Sequence, residues 1–130
     1  MKYTVGFAVV FLGLMVSCTN KIEGDVTIDD ARFAIDSCAS GQRNGFFGVD
    51  LKGSDGRLLR LVQLPSGEPQ VFLFAAGGSS SVDLGPCGSL SVEIQNSTIN
   101  DIKNIRGQAQ LSCTSDEHQV RGSVTFENCH

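Results

Sequence analysis

The last third of the chain alternates apolar and polar residues with a period of two, which is typical of half-buried β-strands. Apolar residues share one face over residues 105–113 and again over residues 120–126, and the polar residues 114–118 separate these runs. Residues 90–95 alternate in the same way, and a polar stretch follows at residues 96–104. The pattern predicts three antiparallel strands, joined first by a polar loop and then by a tight turn.

The middle of the chain carries denser apolar runs between turn residues. Phe47, Val49 and Leu51 alternate with other residues and predict a half-buried strand, and Gly53-Ser54-Asp55-Gly56 predicts a hairpin turn. Further strands are expected at residues 26–36, with or without a break, and at residues 57–64, 70–74 and 82–84. No window after the first cysteine has a helical period. About eight short strands predict an all-β fold, a small antiparallel β-sandwich or barrel.

An apolar run of twelve residues, Val5 to Val16, precedes this β-rich region. A helix needs about 20 apolar residues to span a bilayer, so the run is too short to cross and has the length of a signal-peptide core. Ser17 is a small residue of the kind that signal peptidases require before the cut, and Cys18 follows it. The alternative is an ordinary secretory signal that is cut at another bond and has a cysteine nearby by coincidence.

The stretch Met15-Val16-Ser17-Cys18 resembles the lipobox of bacterial lipoproteins, with methionine where leucine is usual. The resemblance covers only the N-terminus. It implies that the Cys18 thiol is acylated with diacylglycerol, that the peptide is cut just before it, and that the new amine is acylated too. Thr19 follows the cysteine where enteric-type sorting places Asp for inner-membrane retention, so the resemblance implies the outer membrane. Two or more acyl chains anchor a protein stably, whereas one binds reversibly.

These features divide the chain into a signal peptide at residues 1–17, an acylated cysteine with a short polar tether at residues 18–24, and one β domain at residues 25–130. Loss of the signal peptide leaves 113 of the 130 residues, which is the size of one domain. It also leaves nine Lys and Arg against 14 Asp and Glu, a net charge of about −5. That charge disfavours binding to nucleic acid, and it disfavours charge-driven docking onto anionic lipid.

The domain contains four further cysteines, and an exported protein meets an oxidising compartment, so an even number predicts two disulfides. They are Cys38, Cys87, Cys113 and Cys129. The gaps of 49, 26 and 16 residues between them lack the close pairs of a four-cysteine metal site, so no metal is expected. Acylation then explains why the chain has a fifth cysteine, Cys18.

The predicted hairpin of residues 105–127 restricts how these cysteines pair. Cys113 lies at its turn and Cys129 at its open end, about 30 Å away at ~3.3 Å per residue. A disulfide needs Cα atoms within about 7 Å, so these two are not expected to pair. An antiparallel strand at residues 90–95 brings Cys87 close to Cys113. We therefore expect Cys87–Cys113 with Cys38–Cys129, and Cys38–Cys113 with Cys87–Cys129 stays as the alternative.

No residue pattern indicates a catalytic site, so the protein is not expected to be an enzyme or to need a cofactor. His118 lies in a predicted solvated turn, His130 ends the chain, and no serine has the surroundings of a nucleophile elbow. Acidic residues near the start of the domain could in principle bind calcium, but their spacing matches no EF-hand loop and an exposed strand face explains them. These residues are Asp25, Asp29, Asp30 and Asp36.

Phe46, Phe72 and Phe74 are expected on one outward face if their strands are neighbours, and a contiguous apolar surface marks a partner site. The alternative is that these rings cover a second face of the core. The chain is interpreted as a membrane-anchored envelope protein that acts as a non-catalytic binding or structural module with a protein partner. The other interpretations are a periplasmic inhibitor of a cell-wall hydrolase, similar only in size and anchoring, or a small ligand-binding or hydrolase β domain.

Replacement of Cys18 tests the resemblance to lipoproteins. Cys18→Ala removes the thiol that would carry diacylglycerol, so we expect the precursor to stay uncleaved and to take up no lipid label. Fatty-acid labelling and the size of the product measure these two effects. Unchanged detergent partitioning of the Cys18→Ala protein would contradict the assignment.

Overall fold

Two antiparallel sheets pack face to face around one apolar core. The structure is a computed structural model that describes residues 19–78, 80–99 and 101–130. Its strands are β1 Lys21–Ile28, β2 Ala31–Arg32, β3 Ile35–Ser40, β4 Gly48–Gly53, β5 Leu58–Gln63, β6 Pro69–Phe74, β7 Ser81–Pro86, β8 Ser89–Ile99, β9 Ile102–Thr114 and β10 Gln119–Cys129. A 3₁₀ helix at Gly41–Asn44 connects β3 to β4.

The described residues form two sheets of five strands each, so the predicted all-β sandwich is confirmed. The first sheet has the order β2-β1-β10-β9-β8 and the second has the order β3-β4-β5-β6-β7. The described residues form ten strands where about eight were expected, because the stretch predicted as one strand at residues 26–36 falls in three strands, β1, β2 and β3. Each sheet has one face on the core and one face outward, which is the burial that produces alternating sequence.

The hairpin between β9 and β10 has the predicted register. Cys113 lies opposite Val120, and Ala109 lies opposite Val124, with all four residues facing the core. The loop predicted at residues 96–104 is wrong, because β8 continues to Ile99 and β9 begins at Ile102. Their pairing across a tight turn provides backbone hydrogen bonds that the polar composition of this stretch does not reveal.

The strand predicted at residues 26–36 is broken, which was one of the two expectations for it, and the chain changes sheets after the break. Asp29 and Asp30 both have left-handed backbone angles, with φ of 53° and 65°, which end β1 and reverse the chain. Asp tolerates this conformation better than most residues. β3 then joins the second sheet, so Cys38 lies inside a strand and not just past the end of one.

The tether predicted at residues 18–24 also differs from the structure. β1 begins at Lys21, opposite Glu127 of β10, and the pairing continues without interruption to Ile28. The folded domain therefore starts at least four residues before the predicted boundary at residue 25. Cys18 and the signal peptide lie outside the described residues.

The centre of the second sheet supplies the most deeply buried side chains. Leu59 and Leu61 of β5 are fully buried between their neighbours in β4 and β6. Phe47 was expected beside Val49 on this core face, but Phe47 is 48% exposed. The reason is that β4 begins at Gly48, so Phe47 precedes the strand and is not held to its alternation.

The two predicted disulfides are confirmed, and each connects one sheet to the other. Cys38 of β3 is bonded to Cys129 at the end of β10, with a Cα–Cα distance of 5.1 Å. Cys87, which follows β7, is bonded to Cys113 of β9, with a Cα–Cα distance of 5.3 Å. Chain-entropy estimates for loops of these lengths are about 4.6 and 3.5 kcal/mol.

Truncation of a core leucine tests this packing. Leu61→Ala removes a fully buried side chain at the centre of the second sheet, and we expect a loss of about 2–5 kcal/mol in the free energy of unfolding. Leu58→Ala in the same strand is the matched control, because Leu58 is only half-buried and should lose much less. Urea unfolding of the oxidised protein measures both, and equal losses would contradict the assignment of the core face.

Candidate functional site

The outward face of the second sheet combines aromatic rings with one ion pair. Phe72 alternates with the buried Val71 and Leu73, so it lies on the outer side of β6. The strand register places Asp50, Arg60 and Phe72 in one row across β4, β5 and β6. A carboxylate and a guanidinium therefore lie beside the aromatic rings of this face, which also carries the polar side chains of Lys52, Gln70 and Asp83.

Arg60 is held by two carboxylate hydrogen bonds and lies against two aromatic rings. Its Nε lies 2.8 Å from Asp50 Oδ1 and its Nη2 lies 3.0 Å from Asp50 Oδ2. Its guanidinium carbon lies 4.8 Å from the ring centroid of Phe46 and 4.9 Å from that of Phe74. The hydrogen bond to Asp50 raises the pKa of Arg60 above its usual value. Arg60 stays charged, and each ring gains a cation–π contact of about 0.5–2 kcal/mol.

Asp50 is the most buried charged group of this face, with a side chain only 5% exposed. A carboxylate removed from water must be paired and hydrogen-bonded, or it destabilises the fold strongly. Arg60 supplies two hydrogen bonds, and Asn44 Nδ2 donates a third to Oδ2 over 3.2 Å. The pair consequently fixes the position of the guanidinium between its two rings.

The 3₁₀ helix before β4 places Phe46 on this face. Ser40 Oγ accepts a hydrogen bond from the backbone N–H of Gln42 at the start of the helix. Gly45 ends it with a left-handed φ of 82°, and the Phe46 N–H then donates to the carbonyl of Gly41. The ring lies directly over Gly41, where any Cβ would collide with it.

The structure places the three predicted rings, Phe46, Phe72 and Phe74, on the outward side of the second sheet. Arg60 brings Phe46 and Phe74 together, and all three rings are half-buried. The alternative of a second core face does not describe them, because the core side of β6 is formed by Val71 and Leu73. Sequence reasoning missed the ion pair, although charged residues inside two apolar strands were an available signal.

The outward face of the first sheet is polar by comparison. Its exposed positions on the three central strands carry hydroxyl, amide and charged side chains. Members of this face are Glu23, Asp25, Gln108, Gln110, Ser112, Arg121, Ser123 and Thr125. The two outward faces of the sandwich therefore differ in chemistry, and only the second sheet offers aromatic area on its face.

His118 lies in the turn between β9 and β10, as expected, but its side chain is paired with Asp29, the residue after β1, and is not simply solvated. Its Nδ1 lies 2.8 Å from Asp29 Oδ2, and the Gln119 N–H donates to Asp29 Oδ1 over 2.8 Å. The hydrogen bond from His118, and then that from Gln119, lowers the pKa of Asp29. Ser115 Oγ accepts hydrogen bonds from the backbone N–H groups of Glu117 and His118. The serine hydroxyl thus caps a turn, and its hydrogen bonds do not run to the imidazole.

The four acidic residues near the start of the domain belong to no candidate metal site in the described part of the chain. Within residues 19–78, 80–99 and 101–130, no cluster of three or more His, Cys, Asp or Glu side chains is placed to hold a metal ion. His130 is partly buried at the end of the chain, and its Nδ1 has no hydrogen-bond partner among the described residues.

No helix in the described part of the chain is long and apolar enough to cross a bilayer.

The Asp29–His118 pair predicts a measurable titration. Because the folded pKa of Asp29 lies below its unfolded value, the pair stabilises the fold above the unfolded pKa, and this contribution disappears as pH falls through the folded pKa. His118→Ala removes the largest cause and should raise the pKa of Asp29 towards its ordinary value. Carboxyl NMR titration measures it, with His130→Ala as the control. An unchanged Asp29 pKa in His118→Ala would contradict the pairing.

The most distinctive surface of the sandwich is the outward face of the second sheet, where Arg60 lies between two aromatic rings. Comparison of the chain with protein-family models, with curated proteins and with solved structures gave no match.

Proposed function

We propose that the protein is a lipid-anchored protein of the bacterial envelope whose sandwich is a non-catalytic binding module for a protein partner. The observation that carries the proposal is the position of Cys18. A twelve-residue apolar run ends just before it, and a disulfide-linked domain begins at Lys21, three residues after it. Acylation at this cysteine would hold the domain directly at a membrane.

The disulfides support an exported location. They use four of the five cysteines of the chain, and both connect the two sheets. Disulfides persist in oxidising compartments and are rare where thiols are kept reduced. Cys18 is the cysteine that these pairings leave for the anchor. Thr19 after it favours the outer membrane, as the lipoprotein resemblance implies.

The outward face of the second sheet supports a binding role. Protein interfaces are enriched in aromatic residues and arginine, and their binding energy concentrates in a few such residues. Phe46, Phe74 and Arg60 form a rigid group of this kind, because the Asp50 carboxylate fixes the guanidinium between the rings. A rigid surface loses little conformational entropy when a partner covers it. An inhibitor of a cell-wall hydrolase would be one case of such a binding module.

A non-catalytic role is supported by the polar groups of the turn near His118. A hydrolase of the Ser–His–Asp type needs a hydroxyl hydrogen-bonded to the imidazole. Here the nearby Ser115 hydroxyl caps the backbone of the turn, and the imidazole pairs with Asp29. This arrangement serves the structure of the turn and the attachment of β1 to β10.

Photo-crosslinking in intact cells tests the partner surface. A photoreactive residue at Lys52, which lies on the outward face of β4 next to Leu58, should form an adduct with one envelope protein. The same residue at Ser123, on the polar face of the first sheet, is the matched control and should not. Phe72→Ser should reduce the Lys52 adduct severalfold, because an interface aromatic contributes about 2 kcal/mol or more. Protease resistance of the oxidised variant checks its folding.

Three crosslinking results would contradict the binding surface. An adduct that forms equally from Lys52 and Ser123, or one that Phe72→Ser leaves unchanged in a folded protein, would show that the aromatic face does not bind the partner. Absence of any adduct from Lys52 would count in the same direction.

A further inference from the structure

The large apolar side chains that are exposed among the described residues converge on one groove. Phe47 is 48% exposed and Ile94 is 58% exposed. Phe47 directly precedes β4 of the second sheet, whereas Ile94 belongs to β8 of the first. Both line a groove of about 410 Å³ together with Phe46, Ile105 and Lys103. Single exposed apolar residues are common on protein surfaces, but a shared groove is a candidate site of contact.

Ile94 is exposed because the second sheet does not cover this end of β8. Leu90, Val92 and Ile94 share the core-facing side of the strand, opposite Ala109, Gly107 and Ile105. Leu90 is 5% exposed, Val92 is half-buried and Ile94 is 58% exposed. The second sheet therefore covers the beginning of this row and leaves its end open. The groove is the open end of the sandwich, lined by a residue of core type.

The groove lies at the same end of the sandwich as the start of the domain. The Gln95 side chain, next to Ile94, accepts a hydrogen bond from the Asn128 N–H over 3.0 Å. Asn128 Nδ2 donates to the carbonyl of Thr19 over 3.3 Å. Asn20 Nδ2 donates to the carbonyl of Asn128 over 2.7 Å. A continuous set of hydrogen bonds thus connects the residue after Cys18 to the edge of the groove.

A β-bulge fixes this connection. The pairing of β10 with β9 shifts between Phe126 and Cys129, and Asn128 within the bulge has a left-handed φ of 59°. Asn adopts this conformation more readily than most residues. Asn20 Oδ1 also accepts the Cys38 N–H over 2.9 Å, beside the Cys38–Cys129 disulfide. Thr19 is therefore held in position by the fold. Because the Cα atoms of neighbouring residues are only about 3.8 Å apart, an anchor on the preceding residue would lie close to this end of the sandwich.

We propose that this groove is the surface by which the domain lies on the lipid bilayer, with Phe47 and Ile94 in the interface and Lys103 at the lipid phosphates. The proposal rests on the proposed acylation of Cys18. Chains attached there enter the bilayer without a spacer, so the end of the sandwich that holds Thr19 faces the headgroups. Burial of exposed apolar side chains in the bilayer interface is favourable, and a lysine near the bilayer surface is attracted to the lipid phosphates.

The charge of the groove fits this occupant. The chain as a whole has a net charge of −4, which would keep most of its surface away from anionic lipid. The described residues that line the groove include Lys103 and no acidic residue. The groove thus combines an apolar surface with a positive charge on an otherwise acidic protein.

Tryptophan fluorescence tests the contact, because the chain contains no tryptophan of its own. The acylated, processed protein carrying Phe47→Trp is reconstituted into vesicles of phosphatidylcholine and phosphatidylglycerol whose acyl chains are brominated near the headgroups. Bromine quenches indole emission at short range. We expect at least about a twofold loss of emission relative to unbrominated vesicles, because interfacial side chains enter about 5–10 Å into the boundary.

Ser112→Trp is the matched control in the same vesicles. Ser112 is exposed on β9, seven residues beyond Ile105 and about 23 Å along the strand at ~3.3 Å per residue, and its indole should keep its emission. Ile94→Trp provides a second probe on the opposite wall of the groove and should be quenched as Phe47→Trp is. Lys103→Gln in the Phe47→Trp background should reduce quenching in vesicles that contain phosphatidylglycerol.

The outcomes separate this proposal from the anchor on which it rests. Vesicle flotation of the protein with unquenched Phe47→Trp and Ile94→Trp would leave the anchor intact and overturn the groove proposal. This outcome includes a groove filled by a protein partner or by an acyl chain of Cys18 itself. Failure to float, with a free thiol at Cys18, would overturn the anchor and the groove proposal together. Unchanged quenching in Lys103→Gln would overturn the phosphate contact.

Discussion

The Cys38–Cys129 disulfide is the constraint on which much of this structure depends. It joins β3, an edge strand of the second sheet, to β10, which lies inside the first sheet, across 91 residues of sequence. A bond that closes so long a loop restricts the unfolded chain by about 4.6 kcal/mol, against a usual net stability of 5–15 kcal/mol for a domain. The same region holds Asn20 and Asn128, whose hydrogen bonds attach the start of the domain. Formation of this disulfide therefore stabilises the fold and also the attachment of the first residues of the domain.

The ion pair of Asp50 and Arg60 has a different role. Replacement of a buried ion pair by apolar residues is often neutral for stability, so such a pair is weak evidence of a stability gain. Its effect here is geometric, because two hydrogen bonds hold a planar guanidinium against Phe46 and Phe74. Flexible side chains in these positions would leave the aromatic face without a fixed shape. The outward face is thus ordered by an interaction that the core does not need.

Alternation of period two was sufficient to predict the fold class. The hairpin of residues 105–127 excluded a bond between Cys113 and Cys129, and the expected strand at residues 90–95 then favoured the observed pairing over the alternative. The exchange of sheets at Asp29-Asp30 was not predictable, since two left-handed residues leave the alternation of side chains almost unchanged. The end of β8 and the beginning of β9 within residues 96–104 were missed because cross-strand pairing outweighs the polar composition of this stretch. The candidate site was predicted in part. The aromatic rings follow from alternation within one strand, whereas the charged pair among them requires the register between two strands.

The early start of β1 would restrict where the proposed binding module could meet a partner. A domain of this size has a radius of gyration of about 13 Å, so it is about 35 Å across. With Lys21 already paired in the sheet, an acylated Cys18 would allow almost no vertical travel, and every exposed residue would stay within one domain diameter of the bilayer. Partners would then have to be membrane-proximal themselves. Both molecules would search a thin layer instead of a volume, which raises their effective concentration without any additional contact.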